Sequence, residues 1–68
     1  VERDPRNDPR PGDVTKEKSM FGESIIRVTN RDGDIVSFIV GTGLGMDMSL
    51  SWWIETSESD EVLYVAGA

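Results

Sequence analysis

Apolar side chains recur at every second position in Ile26–Val28 and again in Val36–Val40, on either side of Arg31–Asp32–Gly33. Two β-rich runs around an Asp-Gly signal predict a hairpin over Glu23–Val40. A two-residue Asp-Gly loop would pair Val28 with Ser37 and Arg27 with Phe38, mixing polar and apolar residues on both faces. A three-residue loop, with Gly33 left-handed as a bulge, pairs Val28 with Val36, Ile26 with Phe38 and Ser24 with Val40. One face then gathers Ile26, Val28, Val36, Phe38 and Val40. Because a one-residue slip turns every side chain over, that gathering selects the bulged register. The opposite face holds Arg27, Thr29 and Ser37 together with Ile25, Ile35 and Ile39. Three isoleucines there predict a second cover, from a small barrel or from a partner.

Met46–Glu55 alternates in the same way. Met46, Met48, Leu50, Trp52 and Ile54 fall on one side; Asp47, Ser49, Ser51, Trp53 and Glu55 fall on the other. That is the pattern of a half-buried strand, with Trp52 in the core against Phe38 and Trp53 pointing to solvent. Five antiparallel strands follow: Asp13–Lys18, Glu23–Asn30, Asp34–Thr42, Met46–Glu55 and Glu61–Ala66. The expected class is all-β, a small barrel of SH3-like or OB-like type with glycine-rich corners. An open twisted sheet completed by dimerisation is the competing architecture. Phe21, between the first two strands, is expected to cap one end of the core. Gly41-Thr42-Gly43-Leu44-Gly45 matches neither a dinucleotide fingerprint nor a Walker loop, and reads as a bend between strands.

Residues 1–12 hold all three prolines among alternating charges, with no apolar residue after Val1. Such a stretch buries too little surface to offset its ordering entropy, which predicts an extended or disordered arm ahead of a single domain over 13–68. It is also unlike the apolar segment of a signal peptide. At 68 residues the chain is near the size where one core only just stabilises a fold. It has no Cys and no His, so no disulfide helps, and no metal site and no cofactor are expected. A cysteine-free chain without an apolar run of bilayer length fits a cytoplasmic protein.

Charge is unevenly spread within a net −6. All seven Lys and Arg lie in residues 1–31 beside six acids, whereas residues 32–68 hold the other seven acids and no basic residue. That half has nothing with which to neutralise phosphates, so neither direct nucleic-acid binding nor membrane binding is expected. It reads either as a solvated acidic surface or as a face turned toward a basic partner.

The order Asp8-Pro9-Arg10-Pro11-Gly12-Asp13, then a strand, a hairpin and Ser49-x-x-Trp52, resembles a group of small uncharacterised phage and prophage proteins. Those proteins separate two late tryptophans by two residues, whereas Trp52 and Trp53 are adjacent here. The resemblance implies a phage-type origin, a compact β fold and the host cytoplasm. It brings no activity with it.

A short chain without His or Cys, carrying one outward tryptophan near acids, points to a non-catalytic protein–protein interaction module rather than an enzyme. Trp53 is the expected anchor, with Asp47, Glu55 and Glu58 around it. The partner would be a protein with a basic patch, or a second copy of the chain. An acidic inhibitor or nucleic-acid mimic, seated in a basic groove of a host protein, is the alternative.

Overall fold

The computed structural model describes residues 3–67. Five strands form one antiparallel sheet: β1 (Val14–Ser19), β2 (Gly22–Asp32), β3 (Ile35–Val40), β4 (Leu44–Ser49) and β5 (Glu61–Tyr64), with a single short helix, α1 (Leu50–Ser57). The strand order is β4-β3-β2-β1-β5. The two outer strands do not pair with each other, so the sheet is open and the fold is all-β with one covered face.

The hairpin of β2 and β3 keeps the expected core face through a different register. Its loop is two residues, Gly33-Asp34, closed by Asp32 opposite Ile35. Gly33 has φ +59 while Asp34 does not enter the left-handed region, the φ pattern of a type II′ turn with glycine first. The extra residue sits instead in β2, where the register shifts between Val28 and Asn30. Beyond that bulge Val28 faces Phe38 and Ile26 faces Val40. The pairing is two residues away from the three-residue-loop expectation. An even offset preserves the side of the sheet, which is why the face was legible and the partners were not. The bulge also turns Arg31 onto the covered face, opposite Val36.

Ile26, Val28, Val36, Phe38 and Trp53 make the buried core, with Val40, Met48 and Leu50 packed against it. The predicted strand Met46–Glu55 is overturned after Ser49. Ser49 is the N-cap of α1, its hydroxyl accepting from the Trp52 amide at 3.4 Å. Once that cap sets a 3.6-residue period, Leu50, Trp53 and Ser57 turn inward and Trp52 turns outward. Phe38 accordingly meets Trp53 and not Trp52, with ring centroids 5.3 Å apart and planes inclined by 60°. Phe21 is likewise not a core cap. It stands with Met20 in the exposed tip of the β1–β2 hairpin.

The N-terminal arm is not a free tail. Val1 and Glu2 lie outside the described residues, but from Arg3 onward the arm lies against the covered face. Pro5 and Pro9 are fully buried. The Trp53 indole N–H donates to the Pro5 carbonyl at 2.9 Å. Arg31 donates to the Asp8 carboxylate at 3.0 Å and to the Pro9 carbonyl at 2.9 Å. Proline rings supply the apolar surface that a count of aliphatic residues misses, and they lose little entropy on ordering.

Asp13 is where this arm is fastened. Its carboxylate is completely buried and accepts from the Arg3 guanidinium, from the Arg10 amide at 2.8 Å and from the Ala66 amide at 2.7 Å. Burial pushes this carboxyl up, but Arg3 and the two amides together outweigh burial and hold it below the usual carboxylate range. Gly12, at φ +98, lets the chain pass Ala66 closely; a Cβ there would come within 2.9 Å of the Ala66 Cβ. The Asp8–Asp13 stretch is therefore a clasp joining arm, β1 and the C-terminal segment.

On the covered face the buried Thr15 hydroxyl has no hydrogen-bond partner among the described residues. Replacing such a group by an apolar one of the same shape removes an unmet desolvation cost, so Thr15→Val is expected to stabilise the fold by about 1 kcal/mol, some 4–8 °C in a domain of this size. Thermal unfolding followed by circular dichroism checks it; a lower Tm would mean that the hydroxyl is satisfied.

Candidate functional site

The four residues expected to form a binding surface do not come together. Trp53 is 1 % exposed, inside the core, because the chain becomes helical at Ser49. It cannot serve as an outward anchor without unfolding the helix. Trp52, 55 % exposed, takes the outward position instead. Asp47 lies on β4 opposite Ser37, on the face of the sheet away from the helix. Glu55 and Glu58 lie on or beside α1, where they share a shallow depression with Asp4, Arg6, Asn7 and Ile54.

The acids of the second half are similarly dispersed. Asp32 and Asp34 lie before and within the hairpin turn, Asp47 is on the uncovered face and Asp60 is buried. Glu61 lies near Lys16 and Lys18 at 3.8 and 3.9 Å. No single acidic face results.

The sheet face opposite α1 carries no second layer among the described residues. Reading the register across the sheet places Tyr64, Val14, Arg27, Ile39 and Gly45 in or beside one row, with Lys16 and Ile25 in the next. Ile35 stands near the other end, opposite Asp32 and Ser49. Ile25 and Ile35 are 43 % and 47 % exposed, and Tyr64 is exposed on the edge strand β5. Gly45 presents no side chain next to Ile39, so this isoleucine has no neighbour from the edge strand to shield it. These are the isoleucines for which the sequence predicts a cover; among the described residues no further element lies over them, and Ile39 is half-buried within the sheet.

Charges of both signs border this apolar strip. Lys16 reaches Glu23 at 3.1 Å, and that partner draws the Lys16 ammonium above and the Glu23 carboxyl below their ordinary ranges. Arg27 stands exposed at the centre and Asp47 at the β4 edge. Trp53, which breaks the alternation of Met46–Glu55, does not mark this surface. The signal that locates the surface is the second row of isoleucines, on the wrong side for the core.

Among the described residues no three His, Cys, Asp or Glu side chains gather into a metal-binding cluster. None of the helices there is long and apolar enough to cross a membrane. No family model, no curated protein and no solved structure matches the chain.

Proposed function

We propose that the protein is a non-catalytic protein-interaction module that works by burying the open face of its sheet, in the first place against a second copy of itself. One observation carries this reading: Ile25 and Ile35 stand exposed, and Ile39 half-buried, on a five-stranded face that no other element among the described residues covers. Exposed apolar side chains on an unpartnered sheet face favour association, with Ile25 and Ile39 on adjacent strands and Ile35 beyond Ser37. The bordering charges are mixed, three cations (Lys16, Lys18, Arg27) against four acids (Glu23, Asp32, Asp47, Glu61), which suits a self-complementary two-fold contact better than a one-sign partner.

The size of the face bounds the affinity. Five strands about 4.8 Å apart and six residues of about 3.3 Å each span roughly 24 by 20 Å, on the order of 500 Å². Standard interfaces bury about 800 Å² on each partner, so the association is weak, with Kd of micromolar order or above. A second layer laid on this face would supply the enclosure that the SH3-like or OB-like barrel expectation assigns to one chain. A phage-type origin and a cytoplasmic setting belong to the same proposal.

Sedimentation equilibrium tests it. The parent chain is expected to gain mass with concentration from about 10 µM to 1 mM, as a contact of this size implies. Ile25→Glu combined with Ile39→Glu should keep the fold, since Lys16 and Arg27 lie opposite the two positions, and should stay monomeric throughout. A parent that remains monomeric at 1 mM, or a double variant that associates equally well, refutes the reading.

A further inference from the structure

On the covered face, beyond the C-terminal end of α1, a groove of about 220 Å³ remains open. Ile26, Phe38, Val40, Met46, Met48 and Trp53 form its apolar wall. Glu17, Thr56, Ser57 and Asp60 complete the lining. The volume is below the roughly 300–1,000 Å³ of pockets for drug-sized ligands, and corresponds to one long side chain.

The acidic part of the groove has one cation near it, Arg6, and that guanidinium is engaged elsewhere. Asp60 is only 4 % exposed, yet its carboxylate accepts no hydrogen bond among the described residues. Arg6 reaches the Asp60 backbone carbonyl at 3.3 Å and commits its guanidinium to the Asp4 carboxylate at 3.1 Å. Both lysines of the chain, Lys16 and Lys18, belong to the opposite face beside Glu23 and Glu61. Burial first, and the charge of Glu17 second, push the Asp60 carboxyl above the usual range despite Arg6. The last turn of α1 brings no basic side chain to its own carbonyl end, the end that favours a cation.

A carboxylate of a largely buried residue that opens onto the groove, a second acid beside it and a helix C-terminus at the acidic side of an apolar slot all ask for the same ligand. We infer that the groove receives a lysine side chain of a partner protein, its methylene stem along Met46, Met48, Phe38 and Val40 and its ammonium between Glu17 and Asp60. Lysine suits the site because a compact point charge on an unbranched four-carbon stem fits a narrow slot that ends in two separate carboxylates. The inference is independent of the open face, which lies on the other side of the sheet.

The test is an NMR titration of the full chain with a short peptide carrying one lysine, Ac-Gly-Lys-Gly-NH₂, and with its norleucine counterpart. The lysine peptide is expected to shift the Ser57 and Asp60 amides and the Met46 and Met48 methyls saturably, about tenfold more tightly than the norleucine peptide. Asp60→Asn, which removes a buried charge and should leave the fold intact or firmer, is expected to erase that difference; Glu17→Gln should reduce it about threefold. Equal binding of the two peptides, shifts elsewhere, or no saturable shift overturns the assignment. So does tighter binding of a free diamine such as 1,4-diaminobutane, which would make the occupant a small molecule.

Discussion

Asp13→Ala is expected to abolish cooperative unfolding of this chain at room temperature. The substitution leaves the Arg3 guanidinium largely buried without its counter-charge and strips the acceptor from the Arg10 and Ala66 amides. Breaking a buried ion pair by removing one partner costs about 3–5 kcal/mol. A domain of this length has a total stability of only about 3–10 kcal/mol, so most of it disappears. Asp13→Asn, which keeps an acceptor and loses the charge, should fall between parent and alanine variant. Urea unfolding of the three proteins checks the order, and equal midpoints would show that the clasp contributes nothing.

The same carboxylate sets the acid limb of the stability curve. Its folded-state pKa is lowered, so its contribution is complete above the unfolded carboxylate value near pH 4 and is lost as pH falls through the depressed value. Asp60 has the opposite sign. Its folded-state pKa is raised, so the cost of keeping it charged is full above that raised value and fades as pH falls toward the unfolded one. Melting temperature against pH is therefore expected to dip less, or even rise, on mild acidification and then to drop steeply below about pH 4.

Trp53→Ala is expected to unfold the protein and Trp52→Ala is not, the reverse of what strand alternation implies. Removing Trp53 takes the ring that packs on Phe38 and the donor that holds the Pro5 carbonyl, so core and arm are lost together. Truncating a buried tryptophan costs about 3–5 kcal/mol, whereas an exposed position usually changes stability by about 0.5 kcal/mol or less. In the folded monomer, emission of the Trp52→Ala protein, which reports Trp53, should be blue-shifted and resist acrylamide. Two variants that melt alike would place both indoles in one environment.

The contrast between the tryptophans shows how far the residues alone reach. Period-two alternation marks β2 and β3, the apolar face of their hairpin and the Met46–Ser49 part of β4, because a half-buried strand forces that pattern. It failed at Ser49, since Leu50, Trp53 and Ser57 satisfy a helical period as well as Leu50, Trp52 and Ile54 satisfy a strand. Ser49 followed by an apolar run was the available sign of an N-cap. The order of Pro5 and Pro9 is invisible locally, because it depends on Trp53 and Arg31, contacts across 48 and 22 positions of chain. The bulge in β2 left no mark, as neither Thr29 nor Asn30 is a residue that a bulge requires. The groove beside Asp60 combines four strands and the end of the helix, which no local pattern encodes. The three isoleucines facing away from the core were legible from the start.

Those isoleucines offer the most direct test of the interaction reading, because the chain contains five and they divide cleanly: Ile25, Ile35 and Ile39 on the open face, Ile26 in the core and Ile54 on the helix. Isoleucine δ1-methyl spectra recorded across a concentration series should show Ile25, Ile35 and Ile39 moving together toward a saturating value while Ile26 and Ile54 stay in place. Five methyls that do not move up to 1 mM, or a response confined to Ile54, would contradict the claim that the open sheet face is the working surface.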